Sequence, residues 1–161
     1  GHANNPIVLF KNDKYVCTYD KFPKAKYHLL LMRRKNHEKN GDLSDVRTLN
    51  DLEPCHLDEL REFHALGRSI ASRLQDFHSK DESTNKSPIA FKLGYHALPS
   101  FEPLHLHIIS SDMDSPCVTT RKHVVSFASP LFFVEPESLE LHLESAFVDS
   151  IRLSIRKDRA R

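Results

Sequence analysis

Leu57, Leu60, Phe63, Gly67, Ile70, Leu74 and Phe77 recur at intervals of three and four residues. That spacing lays one apolar stripe along a helix of about six turns. No other segment limits the fold as firmly. Pro54 suits the first position of such a helix, and the polar run 79–87 closes it. His56, His64 and His78 lie on or near the helix without partners at ligand spacing, and they read as surface or boundary residues.

The second firm element is Leu104-His-Leu-His-Ile-Ile109. Strict alternation makes it a strand with Leu104, Leu106 and Ile108 on one face and His105, His107 and Ile109 on the other. Two imidazoles then stand side by side, roughly 7 Å apart at their α carbons. Ahead of both elements, Ile7–Phe10 and Tyr15–Tyr19 flank the turn signal Asn12-Asp13 and read as a hairpin. Asp20–His28 is a polar loop around Pro23, and Leu29–Met32 reads as a strand buried on both faces. Residues 33–53 have no periodicity and read as a long loop or insertion. Pro88–Leu93 returns to strand character, and 126–134 ends in the apolar run Leu131–Val134. From Glu135 onward, Leu139, Leu143, Phe147 and Ile151 have helical spacing, although Leu139, Leu141 and Leu143, and then Ile151, Leu153 and Ile155, also alternate. A helix is expected there, followed by a mobile, solvated basic tail, Arg156–Arg161.

These elements predict an α+β fold in which an antiparallel sheet carries one long helix and a C-terminal helix. The 161 residues divide into a tail, 1–6, in which Gly1-His2 resembles a vector-derived scar, a catalytic domain, 7–134, and a C-terminal extension, 135–161. A formal net charge of +1 points to no partner, so any nucleic-acid surface is a local patch. Cys17, Cys55 and Cys117 are widely spaced and odd in number, which fits a reducing compartment and neither a disulfide framework nor a zinc ribbon. There is neither a membrane-length apolar run nor a visible signal peptide, so no membrane association is expected.

The residues also exclude chemistries. Four glycines in all form no phosphate-cradling loop, and no Gly-x-Ser-x-Gly elbow occurs. Asp112, Asp114 and Cys117 lie near one another, but they match no metal-hydrolase spacing. Phosphorus chemistry fits better. A neutral imidazole attacks phosphorus well when its other nitrogen donates to a carbonyl, which suits His105. His107 stands where it can stabilise the pentacoordinate phosphate or the departing group. Ser100, in the tight turn before the strand, can aim a hydroxyl at a phosphate oxygen.

Leu104-His-Leu-His-Ile-Ile109 resembles the signature of the histidine-triad nucleotide hydrolases and transferases, and Asp20–His28 resembles that family's nucleoside-binding hairpin. Gly94–Ser100, Leu104–Ser110, Asp112–Cys117 and Lys122–Phe127 together resemble one branch of the family, over about residues 7–134. Its members remove AMP from the 5′-adenylated DNA ends left by abortive ligation. The resemblance implies a histidine-triad fold and a DNA 5′-adenylate hydrolase working through a covalent histidine–AMP intermediate in single-strand break repair. It also implies a nuclear location, adenylated DNA ends as partner and AMP as product.

Residue by residue, it makes His105 the nucleophile and puts His107 and Ser100 at the phosphate. Asp20 goes to the ribose hydroxyls, with Lys21, Phe22 and His28 near the base. His96, Lys122 and His123 fall on the DNA-phosphate side. His28 reads equally as a buried structural histidine, and His123 equally as a bystander. The chain departs from the pattern in two ways. Pro103 stands where the first triad histidine belongs, although its carbonyl remains to orient His105. The family's C-terminal zinc finger has no ligand set here, so zinc is not expected in this chain, and catalysis is expected to need no cofactor or metal. Two other readings stay open: a small-nucleotide phosphoramidate or dinucleotide hydrolase of the same family, and a non-catalytic DNA-end binding module.

Overall fold

A computed structural model describes residues 5–35, 42–84, 87–98 and 103–159. Six strands, β1 (Val8–Lys11), β2 (Tyr15–Tyr19), β3 (His28–Arg33), β4 (Phe91–His96), β5 (His105–Ser110) and β6 (Phe133–Val134), form one sheet in the order β1-β2-β3-β5-β4-β6. Every pairing is antiparallel. The hairpin forms as its turn residues predict: Asn12 Oδ1 accepts from the amides of Lys14 and Tyr15 at 2.9 and 2.7 Å. β3 and β5 are the two central strands, and all six residues of β5 are buried.

Side-chain alternation divides the sheet into two faces. Leu29 and Leu31 of β3 join Leu106 and Ile108 of β5 in the main core, beneath helix α1 (Leu57–Lys80). Gly67 permits the close approach of helix and sheet, because a Cβ there would lie 2.7 Å from Leu106 Cδ2. The opposite face carries a smaller cluster of Ala25, Ile109, Phe127 and Phe133. Phe127 comes from helix α2 (Arg121–Ala128), and the β5 histidines lie beside this cluster rather than in water.

Several boundaries differ from the sequence expectations. Pro54 opens a 3₁₀ turn, Pro54–His56, that leads into α1 rather than starting α1 itself. The described residues of the 33–53 segment contain two further 3₁₀ turns, Leu43–Asp45 and Leu49–Asp51, and bury Leu43 and Val46. The fourth strand begins at Phe91, later than expected. Residues 126–134 are the end of α2 and the two-residue β6, not one apolar strand. The helix–strand ambiguity at the C-terminus resolves as helix α3 (Pro136–Arg159), because Leu139 and Leu143 are both buried in the main core. The basic residues expected as a mobile tail continue this helix as far as Arg159.

His56, His64 and His78 are buried, contrary to the surface reading. Each has a polar partner that periodicity cannot reveal. His56 Nδ1 accepts from the Glu53 amide at 2.9 Å. His78 Nδ1 lies 3.2 Å from Tyr27 Oη. His64 joins Glu140 of α3, 2.5 Å from Nδ1, to Tyr95 of β4, 2.8 Å from Nε2. With Arg61–Glu144 and Arg68–Glu137, this pair fastens α3 antiparallel along α1.

Candidate active site

The site is assembled where β3, β4 and β5 lie side by side. Antiparallel register sets Gly94 opposite His107, and His107 opposite Leu30 on the other side. Both β5 imidazoles are almost fully buried. Phe127 packs edge-on against His28 and His107, and its ring centroid is 4.5 Å from that of His96. Phe133 completes this aromatic wall against His96 and His107. A Cβ at Gly94 would fall 2.4 Å from Phe133 Cε1. Glycine at that position is what lets β4 run beneath the ring.

Hydrogen bonding fixes the tautomers of three rings. His105 Nδ1 lies 2.9 Å from the Pro103 carbonyl, which can only accept. Nδ1 therefore carries the hydrogen, and Nε2 keeps its lone pair. The backbone of Pro103 thus supplies the orienter for His105. In His28, Nδ1 receives the Lys24 amide at 3.1 Å and so must be bare. Its Nε2 then donates to His107 Nδ1 at 2.9 Å, with Asp20 Oδ2 a further 3.6 Å contact. A His107 that accepts on Nδ1 carries its hydrogen on Nε2, and that atom is buried without a partner among the described residues. One strand therefore presents a bare nitrogen on His105 and an unspent N–H donor on His107.

All four rings are held neutral near pH 7. Burial pushes His105 below the ordinary histidine value of 6.5, against smaller upward pulls from the Pro103 carbonyl and Asp20. Burial lowers His107 well below that value, and the neighbouring imidazoles His96, His28 and His105 add to the effect. His28 falls to about 4, chiefly through burial, although Asp20 opposes it. His96 is lowered by burial and by His105, against smaller upward pulls from Asp20 and the Ser126 backbone, and its Nε2 has no partner among the described residues.

The remaining expected residues separate into two groups. Asp20 and His28 meet at the site. The Asp20 carboxylate also accepts from the Phe22 amide at 2.7 Å, which holds the loop. Phe22 is 60% exposed with Lys21 Nζ 5.5 Å above its ring, so both side chains face outward from the loop between β2 and β3. Lys122 lines an open pocket of about 380 Å³ together with His96, Leu98, Val125, Ser126 and Phe132. His123 Nδ1 is occupied by the Thr119 amide at 3.2 Å. Ser100 lies outside the described residues. Sequence reasoning gave no role to Phe127 or Phe133. Phe127 stands inside a motif that was visible, whereas the place of Phe133 depends on tertiary packing alone.

Asp20, His28 and His107 also offer three metal-ligand atoms within 4.8 Å of one another, the one such group among the described residues. Two of those atoms are joined by the His28–His107 hydrogen bond. Asp112 is instead a structural acceptor, taking the Lys26 amide at 3.1 Å. No helix is long and apolar enough to cross a membrane among the described residues.

A central strand with two buried histidines in opposite tautomers sets a lone pair beside an N–H donor, a pairing that phosphoryl chemistry can use. The family model described as "Scavenger mRNA decapping enzyme C-term binding" matches residues 1–123. Aprataxin of Gallus gallus is 33% identical over 135 residues, which cover 84% of this chain and 37% of that protein. Among solved structures, the aprataxin ortholog Hnt3 in complex with DNA is 32% identical with a TM-score of 0.52, covering 84% of this chain and 67% of that one. Hnt3 in complex with DNA and guanosine is also 32% identical, with a TM-score of 0.50 over 83% and 67% of the two chains. The chain belongs to the histidine-triad superfamily, and within it to the aprataxin branch. It spans little more than a third of the length of the Gallus gallus protein.

Proposed function

We propose that this domain is a DNA 5′-adenylate hydrolase that removes AMP from abortive ligation ends in the nucleus. One observation carries the reading: His105 keeps a bare Nε2, while its strand neighbour His107 holds an unspent Nε2–H beside it. His105 Nε2 attacks the AMP phosphorus and the bond to the DNA 5′-phosphate breaks. Positive charge that develops on the imidazole is stabilised through Nδ1–H by the Pro103 carbonyl. His107 donates to a non-bridging oxygen as negative charge gathers there. The leaving group is itself a phosphate and departs with little help from an acid, so positioning carries most of the step. Water then breaks the phosphorus–nitrogen bond, releases AMP and restores neutral His105.

Asp20, Lys21, Phe22 and His28 are assigned to the nucleoside side, where His28 also sets the tautomer of His107. Ser100 is assigned to the phosphate by its place in the sequence. His96 and Lys122, which share a pocket wall, are assigned to the leaving DNA phosphate, with His123 beside them. The solution of Hnt3 with DNA supports this side of the reading. The test compares adenylated DNA with an AMP–lysine phosphoramidate. Lys122→Ala should weaken adenylated DNA at least tenfold, flatten the salt dependence of binding by about one unit, and leave the small substrate unchanged. Equal losses on both would favour a small-nucleotide hydrolase, and DNA-end binding without turnover would make the domain a binding module.

A further inference from the structure

Residues 42–53, between β3 and α1, have no role in the mechanism above, yet this segment reaches the nucleophile. Arg47 and Leu49 form one wall of a cleft whose other walls are Tyr95, His96, Leu104 and His105. Its free volume of about 10 Å³ is close to that of one water-sized sphere. Arg47 thus shares one small cleft with His96 and His105, two of the imidazoles that the mechanism uses.

The segment is built to stay in place. Arg33 joins Asp42 at 2.9 Å to Glu59 of α1 at 2.5 Å. Glu59 also accepts from the Leu43 amide at 2.8 Å. Leu43 and Val46 are buried in the core on the near side of Arg47. Asp51 Oδ2 closes the turn by accepting from the amides of Arg47 and Thr48 at 3.2 and 2.8 Å, and from Thr48 Oγ1 at 3.2 Å. The side chain of Arg47 is exposed on a backbone fixed from both ends.

The charge balance of the site gives this residue a purpose. The four imidazoles are neutral, so they bring directed dipoles to the phosphate but no formal positive charge. A diphosphate linkage carries at least two negative charges. Lys122 lies across His96 on the pocket side, and Arg47 lies across His96 and His105 on the cleft side. A guanidinium is a cation that presents a planar fork of donors to two phosphate oxygens.

Resting on the reading above, we infer that Arg47 is a catalytic residue that binds the phosphoryl group transferred to His105, and that residues 42–53 form an arm that holds it there. It therefore serves every substrate that carries an AMP phosphate, whereas Lys122 serves only those with a DNA leaving group.

The experiment measures hydrolysis of the AMP–lysine phosphoramidate by the wild type, His105→Ala, Arg47→Ala and Arg47→Lys, with urea midpoints taken in parallel. Arg47→Ala keeps the backbone amide that Asp51 holds, so the variant should fold, and its urea midpoint separates lost stability from lost turnover. Its kcat/KM should fall about a hundredfold on the phosphoramidate and on adenylated DNA alike. Inhibition by added AMP should weaken with it, and Arg47→Lys should recover part of the loss, because charge returns without the fork. Wild-type rates in Arg47→Ala would overturn the inference, as would a loss confined to adenylated DNA. If wild-type turnover were instead indifferent to His105→Ala, the catalytic reading itself would fall and the inference with it.

Discussion

His28 receives the Lys24 amide on Nδ1 and passes its own hydrogen to His107, so one backbone N–H decides which nitrogen of a neighbouring ring meets the substrate. The consequence is directly measurable. Nitrogen-15 NMR at pH 7.5 should report His105 as the Nδ1–H tautomer and His107 as the Nε2–H tautomer. Replacing His28 by Leu removes the donor and leaves His107 Nδ1 buried without a partner, at a cost of about 1–3 kcal/mol. Charged to the transition state, that is roughly a tenfold to hundredfold loss of kcat. The positioning role predicts that the tautomer signature of His107 is lost together with kcat. A variant with low kcat but an unaltered His107 spectrum would reduce His28 to a packing residue. His105 and His107 were legible in the sequence because a period of two is a local property. The Asp20–His28–His107 contact was not, since loop closure and strand register bring it about, and neither leaves a repeat.

At the scale of elements, the site depends on how closely β4 passes beneath Phe133. Gly94 stands opposite His107, and a methyl group there would meet a ring already fixed by Phe127 and His96. Gly94→Ala should destabilise the fold by about 1–3 kcal/mol and lower activity further by displacing the aromatic wall. An unchanged urea midpoint would mean that Phe133 yields freely. The elements were read unequally well from sequence. α1 was plain in the stripe from Leu57 to Leu74, although Phe77, read as its last member, is exposed, and β3 was plain in its unbroken apolar run. α2 was missed because its eight residues bury Phe127 alone, too little for a period to show. His64 was misread for a related reason: its partner Glu140 is 76 positions away, so only the docking of α3 on α1 reveals why a histidine is fully enclosed.

Across the whole molecule, buried neutral histidines set the response to acid. His28, His64, His96, His105 and His107 are all lowered by burial. Below the ordinary value of 6.5 the unfolded chain takes up protons that the folded chain refuses, so stability is full above 6.5 and falls beneath it. For His28 the loss runs from about 6.5 down to about 4, at about 1.4 kcal/mol per pH unit. Urea unfolding at pH 7.5, 5.5 and 4.5 should give steadily lower midpoints, and a flat profile would mean that the rings are not buried in solution. The same depression keeps His105 unprotonated near neutral pH, so the acid limb of the pH–rate profile should lie below 6.5.

The most direct test of the account is to trap the covalent intermediate. Wild-type protein is mixed with DNA whose 5′-AMP is labelled, quenched in denaturant at alkaline pH, where a phosphorus–nitrogen bond to histidine survives, and mapped by peptide. Label should fall on His105 alone, with none in His105→Ala, and turnover in that variant should drop on the order of a thousandfold or more. Label on His107, or full turnover without His105, would contradict a covalent mechanism at His105.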